Sequence, residues 1–255
     1  MSELNHLSYS SVSTYQLCAR SWRLRYIDKV PTLPSPSLVF GSAFHATVEH
    51  ALHHQHQKMP IDLSEAWKEQ WGAACQQPVA WDGDLPEQFE GDGLRMLAHP
   101  AAQELIARLS PLTEDGSPAI EKRVELRVPG VAIPVIGFID LIADDGVPVD
   151  LKTANRAWSQ DQAERETQPL FYLAALNQAG YKIDYRFRHV VFVKTQAPQV
   201  QTFESQHHPA SLFWLYSAIQ AVWRGIEHEV FVPNPTSWKC TPRFCDFWKV
   251  CRGKR

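Results

Sequence analysis

Gly137-Phe138-Ile139-Asp140-Leu141-Ile142-Ala143 and, across Asp144-Asp145-Gly146, Val147-Pro148-Val149-Asp150-Leu151-Lys152-Thr153 decide how this chain folds. Both stretches read as buried strands, apolar or β-branched at most positions, with a hairpin turn between them. Alternation along a strand puts Asp150 and Lys152 on one face, and Asp140 falls near the same end of its neighbour. Two carboxylates and an ammonium therefore converge on a sheet otherwise made of Val, Ile, Leu and Phe. Buried charge is costly unless it is paired or bound to metal, so two readings stand. One is an ion pair at a strand end. The other is a divalent-metal site, where carboxylate oxygens suit Mg²⁺ or Mn²⁺ and the lysine positions or polarises an attacking water.

Upstream, Ser10 or Ser11 is expected to cap a helix that runs on through Tyr15, Cys18, Trp22 and Tyr26. Pro31, Pro34 and Pro36 predict a loop, and a second helix is expected from Phe40 to about His56. His45 lies at the edge of its apolar stripe (Phe44, Val48, Leu52), where a structural histidine and a metal ligand are both open readings. Glu49, one turn on, gives a weaker His-x₃-Glu alternative. Residues 57–118 read as an acidic, mostly helical insertion with its own aromatic core, Trp67, Trp71, Trp81 and Phe89 among it.

Downstream, Glu121–Val128 predicts a half-exposed strand, and Gln160–Gly180 a helix carrying Gln168 and Tyr172 on one face. Arg186–Lys194 and Val200–Phe203 predict further strands, and a last helix follows His208-Pro209. Strands, helix, strands, helix indicate one mixed-sheet α/β domain over 1–255.

The 255 residues are long enough to bury a sizeable core, and 44% hydrophobic with 21% charged residues is ordinary for a globular protein. No secretory signal and no apolar run of membrane-spanning length is evident, so an intracellular, cytoplasmic setting without membrane contact is expected. The net charge of -3 argues against indiscriminate nucleic-acid binding, but its distribution is uneven. Residues 60–118 hold eleven Asp/Glu against three Lys/Arg. Arg20, Arg23, Arg25 and Lys29 make one end basic, and Lys239, Arg243, Lys249, Arg252, Lys254 and Arg255 the other. Such local patches suit a phosphate backbone. Arg20, Arg23, Arg156, Lys239 and Arg243 are the candidate DNA contacts.

Cys240, Cys245 and Cys251 crowd into twelve aromatic-rich residues and leave a tetrahedral site one thiolate short. Cys18 is available as the fourth. By softness and geometry, zinc and an iron–sulfur cluster fit four thiolates equally. Cys75 reads as an ordinary small residue.

Six elements in order carry a resemblance: Ser10-x₂-Ser13-x-Tyr15-x₂-Cys18, Gly41-x₃-His45, Gly137-x₂-Asp140, Asp150-x-Lys152, Gln168-x₃-Tyr172, and Pro233-Asn234-Pro235 with its three cysteines. The chain resembles the PD-(D/E)XK nuclease superfamily in its RecB-like, AddB-like branch with a C-terminal iron–sulfur motif. The resemblance implies a restriction-endonuclease-like core, a central mixed sheet flanked by helices. It also implies that residues 231–255 form a clasp pairing with Cys18. His45, Asp140, Asp150 and the Leu151 carbonyl would bind Mg²⁺ or Mn²⁺, with Lys152 catalytic and Gln168 and Tyr172 positioning the DNA strand or the lysine. Cys18, Cys240, Cys245 and Cys251 would hold a [4Fe–4S] cluster, zinc being the alternative.

The implied activity is a metal-dependent DNA nuclease, an exonuclease on single strands or ends, in recombination, repair, phage replication or defence. A bacterial, archaeal or phage origin fits it, as do a helicase or recombination partner and an oligomer. The competing readings are a DNA-binding module without catalysis and a zinc-stabilised interaction protein.

Overall fold

The computed structural model describes residues 4–253, so Met1–Glu3 of the N-terminus and Lys254 and Arg255 of the basic C-terminus lie outside the described residues. The chain opens with β1 (Leu7–Ser8), α1 (Tyr9–Leu17) and α2 (Ala19–Tyr26), followed by the long α3 (Pro36–His56). Next come α4 (Leu63–Ala74), α5 (Pro86–Ala98), α6 (Pro100–Arg108) and a small hairpin of β2 (Thr113–Glu114) and β3 (Ser117–Pro118). Then follow β4 (Ile120–Leu126), β5 (Val135–Ile142), β6 (Pro148–Ala154), α7 (Gln160–Arg165) and α8 (Gln168–Gln178). The remainder is β7 (Arg186–Val193), β8 (Gln199–Gln206), α9 (Ser211–Glu227) and α10 (Trp248–Arg252).

These elements build a mixed six-stranded sheet. Along one edge of β5 runs antiparallel β4; on its other edge β1 pairs in parallel and β6 antiparallel. β6 and β7 are parallel, and β8 closes the far side antiparallel to β7. Two apolar cores cover the sheet. One gathers Leu7, Trp22, Leu126, Phe171, Phe187 and Trp223. The other gathers Phe40, Phe44, Trp67, Trp71, Leu151 and Phe192. The acidic 57–118 segment thus shares its core with the sheet: α4 and α5 complete the helical layer over Leu151 and Phe192. Among the described residues, no helix is long and apolar enough to cross a membrane.

Three helix boundaries differ from the sequence expectation, each for a local reason. The first helix is capped by Ser8, whose side chain and that of Ser11 close a reciprocal capping box. It then breaks at Cys18, in extended backbone (φ -164°, ψ 101°), because Asn234 from the distant tail donates its amide to the Leu17 carbonyl at 3.0 Å. The second helix begins at Pro36, not Phe40. Proline at the first helical position sacrifices no hydrogen bond, and Ser35 caps it through Leu38. The predicted Gln160–Gly180 helix is two helices parted at Glu166-Thr167: Pro169, in the first turn of α8, has no N–H for the Arg165 carbonyl four residues back, and its ring clashes with that carbonyl, so α7 ends there.

Candidate active site

The last β5–β6 pair before the strands separate is Leu141 with Val149. One residue further along each strand stand Asp140 and Asp150, so the site opens where the ladder parts. The Asp140 side chain fills the gap: its Oδ2 accepts from the Leu151 N–H at 2.6 Å, a bond that a neighbouring strand would otherwise make. On the other edge of β5, Glu121 takes left-handed backbone (φ 46°) between the Ile120–Leu141 and Lys122–Ile139 pairs. Such strain in a non-glycine residue is concentrated at functional sites.

His45 projects from α3 with Nδ1 3.7 Å from Asp140 Oδ2. Lys152 Nζ lies 3.0 Å from Asp150 Oδ1 and 3.0 Å from Gln168 Oε1. Gln168 in turn donates to Tyr172 Oη at 2.8 Å, and Tyr172 donates to the Phe138 carbonyl at 2.5 Å. This chain ties the lysine back to β5. Thr167, next to Gln168, is bonded to Tyr9 of α1, whose ring stacks on Phe171. The glycine at 137 is required here: a Cβ would sit 2.5 Å from Phe171 and 3.2 Å from Tyr172.

Burial and mutual charge shift the groups of this cluster. Burial, then the charge of Asp150, hold the Asp140 carboxyl well above the ordinary carboxylate range. Burial alone would lower Lys152, but the charge and hydrogen bond of Asp150 carry it above its usual value. Burial pushes His45 down, against the raising effect of Asp150. Asp150 itself is 2% exposed. Its Oδ2 is 2.7 Å from the lysine ammonium, in ion-pair contact but out of line for a hydrogen bond, and it has no other partner. Two buried carboxylates side by side, one of them with an oxygen that meets only an ammonium, are a donor set for a hard divalent cation, and these residues fit one. The side chains do not already close round a point: among the described residues, no group of three or more His, Cys, Asp or Glu is gathered tightly enough to hold an ion.

Two carboxylates at the site escaped the sequence reading. Glu121 is raised by burial, then by Glu49 and Asp150; Glu166 is raised by burial, with Lys152 opposing. Glu121 sits in a plainly alternating strand and Glu166 in an apparently continuous helix, so neither carried a signal.

The tail is arranged differently. Cys18, Cys240, Cys245 and Cys251 line one cavity of about 900 Å³ between α1, α2 and residues 233–252. Burial, then the charges of the other three thiols, raise Cys245. That crowding fits a soft-metal donor set, but a closed cage is not preformed. Arg25 clamps the ends together, bonded to Asp246 and lying over the Phe247 ring.

Among the expected DNA contacts, Arg23 is committed internally, to Asp28 at 3.4 Å and over Phe231 at 5.3 Å. Arg20 is half-buried, and Arg156 is exposed in the loop after β6. Lys239 and Arg243 lie over the exposed rings of Trp238 and Phe244.

The sequence is 27% identical over 274 aligned residues to the Gene 69 protein of Mycobacterium phage D29, covering 96% of this chain and 95% of that one. A candidate exonuclease from Eubacterium rectale superposes with a TM-score of 0.56 at 11% identity, over 98% of this chain and 88% of its own, a likeness of fold. The PD-(D/E)XK nuclease superfamily profile matches residues 6–252, and the chain belongs to that superfamily.

Proposed function

We propose that this protein is a Mg²⁺- or Mn²⁺-dependent deoxyribonuclease of the RecB-like branch, acting as an exonuclease on single strands or DNA ends. The observation that carries it is the buried pair of carboxylates, Asp140 and Asp150, with the Lys152 ammonium 2.7 Å from Asp150 Oδ2. His45, Asp140, Asp150 and the Leu151 carbonyl would hold the ion. When bound, it supplies charge neutralisation at the scissile phosphate and a lower pKa for water.

The chain's own residues do the rest. Lys152, held between Asp150 and Gln168, keeps a proton-bearing ammonium beside the reacting phosphate. Tyr172 anchors Gln168 and so fixes the lysine's direction. Arg156, exposed after β6, and Arg20, Lys239 and Arg243 would contact the DNA backbone, and the exposed Trp238 and Phe244 would stack on bases. Arg23, packed on Phe231, has at most a minor share.

The four cysteines would hold a [4Fe–4S] cluster joining the chain ends, with zinc as the alternative; a brown protein with visible absorbance distinguishes the two. Recombination, repair, phage replication and defence are settings that fit this activity, with a helicase or recombination partner supplying strand separation.

The test is release of end label from single- and double-stranded DNA in Mg²⁺, Mn²⁺ or EDTA. Metal-dependent release from one end of single strands supports the reading. Binding without cleavage under any metal would replace it with the DNA-binding-module reading.

A further inference from the structure

Away from the Asp140–Asp150 cluster, α3 also carries a pair of imidazoles. His50 and His54 are one turn apart, and their Nε2 atoms face each other at 2.9 Å with the rings 4.6 Å apart, edge to face. His54 Nδ1 lies 3.0 Å from the Pro60 carbonyl. A carbonyl can only accept, so Nδ1 holds the proton and the Nε2 lone pair is directed at His50. This outer bond is the arrangement that fixes ring and tautomer in metal-ligating histidines.

The spacing has a meaning in coordination chemistry. With metal–nitrogen bonds of about 2.0–2.1 Å, ligands at a right angle stand about 2.9 Å apart, and tetrahedral ones about 3.3 Å. The pair already has the first spacing, and both rings must turn off the line of their hydrogen bond for the two lone pairs to converge on one ion. Across an open cleft of about 560 Å³, α4 presents Glu65 and Glu69, again one turn apart. Glu65 is bonded to Lys68 at 2.7 Å, whereas among the described residues no ion pair engages Glu69.

We propose that His50 and His54 form a transition-metal site, for Zn²⁺ or a similar borderline ion, with Glu69 swinging in as a third ligand. The two imidazoles already stand within bridging distance and need only turn, while the carboxylate must move in, in keeping with no three such ligands being gathered among the described residues. Imidazole nitrogen suits such ions better than it suits Mg²⁺. In the metal-free protein His50 donates its Nε2 proton to His54; on binding, that proton shifts to Nδ1 of His50, and both lone pairs bind the ion. The ion would staple α4, from the acidic 57–118 segment, to the helix that carries His45. This site is distinct from the catalytic one in residues and in ligand chemistry.

The experiment is calorimetric titration of the full chain with Zn²⁺ in saturating Mg²⁺, for wild type, His54→Ala, His50→Gln, Glu69→Gln and Cys251→Ser side by side. Thermal unfolding with and without Zn²⁺ accompanies it. The expected result is one binding step retained in Cys251→Ser and weakened about 10–100-fold in His54→Ala and His50→Gln. A Zn²⁺-induced rise in melting temperature should disappear with it, while Mg²⁺-dependent cleavage stays unchanged. If both histidine variants titrate as wild type does, the pair is a plain hydrogen bond and the proposal is overturned. An unchanged Glu69→Gln would remove the carboxylate arm alone. Should His54→Ala misfold, His50→Gln decides.

Discussion

The catalytic cluster and the cysteine tail are both assemblies of residues far apart in sequence, yet they are held in different ways. Asp140, Asp150 and Lys152 stand on strands of the central sheet, and a hydrogen-bonded chain through Gln168 and Tyr172 returns to β5 at Phe138. The tail rests on a few links to α1 and α2, among them Asn234 with Leu17 and Arg25 with Asp246. Its four thiols border a cavity, and Trp238 and Phe244 stand 65% and 51% exposed. Sheet and core fix the first region; the second depends on contacts that one substitution can remove. A site whose charges repel can be precise because the surrounding apolar core supplies the stability, whereas the tail is anchored to apolar surroundings chiefly through Phe231 and Phe247.

The sharpest way to break this comparison is Asp150→Asn. Cleavage should fall by about 10²–10⁴-fold or more, since both cation ligation and the lysine's partner are lost. The metal-free variant should nevertheless melt no lower than wild type, because it removes the like charge that raises Asp140. A drop of many degrees would mean that the Asp150–Lys152 pair holds the fold together, against this account.

The next effect is on acid stability. His189 is fully buried between the rings of Phe187 and Trp158, with neither ring nitrogen bonded. Burial, then the charge of Lys152, push it down from 6.5 to about 4. Between those values the unfolded chain binds the extra proton and the folded one does not. Stability is therefore full above about pH 6.5 and falls as pH drops towards 4, by at most about 3 kcal/mol. His189→Leu should flatten that limb in urea titrations at a series of pH values; an unaltered slope would show the histidine is not its source.

Gly137→Ala should cost about 1–3 kcal/mol through collision with Phe171, read as a lowered melting temperature, and should weaken cleavage through Tyr172. Smallest globally is Asn234→Ala, about 1 kcal/mol, but limited proteolysis within 233–252 should accelerate markedly. Equal proteolysis in both proteins would erase the distinction between the two regions.

What could be read in the sequence follows from the same distinction. The Asp140 and Asp150 strands were legible because a charged residue in an apolar run is conspicuous and strand alternation assigns its face. The break at Cys18 was not, because a residue 216 positions later, Asn234, makes it. Pro36 and Pro169 were visible, but Pro36 starts a helix that its neighbourhood suggested was a loop, and Pro169 sits in the first turn of α8, inside what reads as one continuous helix. Glu121 and Glu166 join the site through register and helix breakage, which no local pattern reports. The 57–118 segment read as an insertion with its own core because its aromatic residues are self-sufficient in sequence, whereas in the fold Trp67 packs on Phe40 and Phe44 beneath the sheet.

The most direct test of the central claim is the cleavage rate of wild type and Lys152→Ala, measured side by side as Mg²⁺ is titrated. The account predicts saturable, metal-dependent cleavage in wild type and a loss of about 10²-fold or more in Lys152→Ala at every Mg²⁺ concentration, with DNA binding preserved. Equal cleavage by the two proteins, or none by either with DNA still bound, would contradict it.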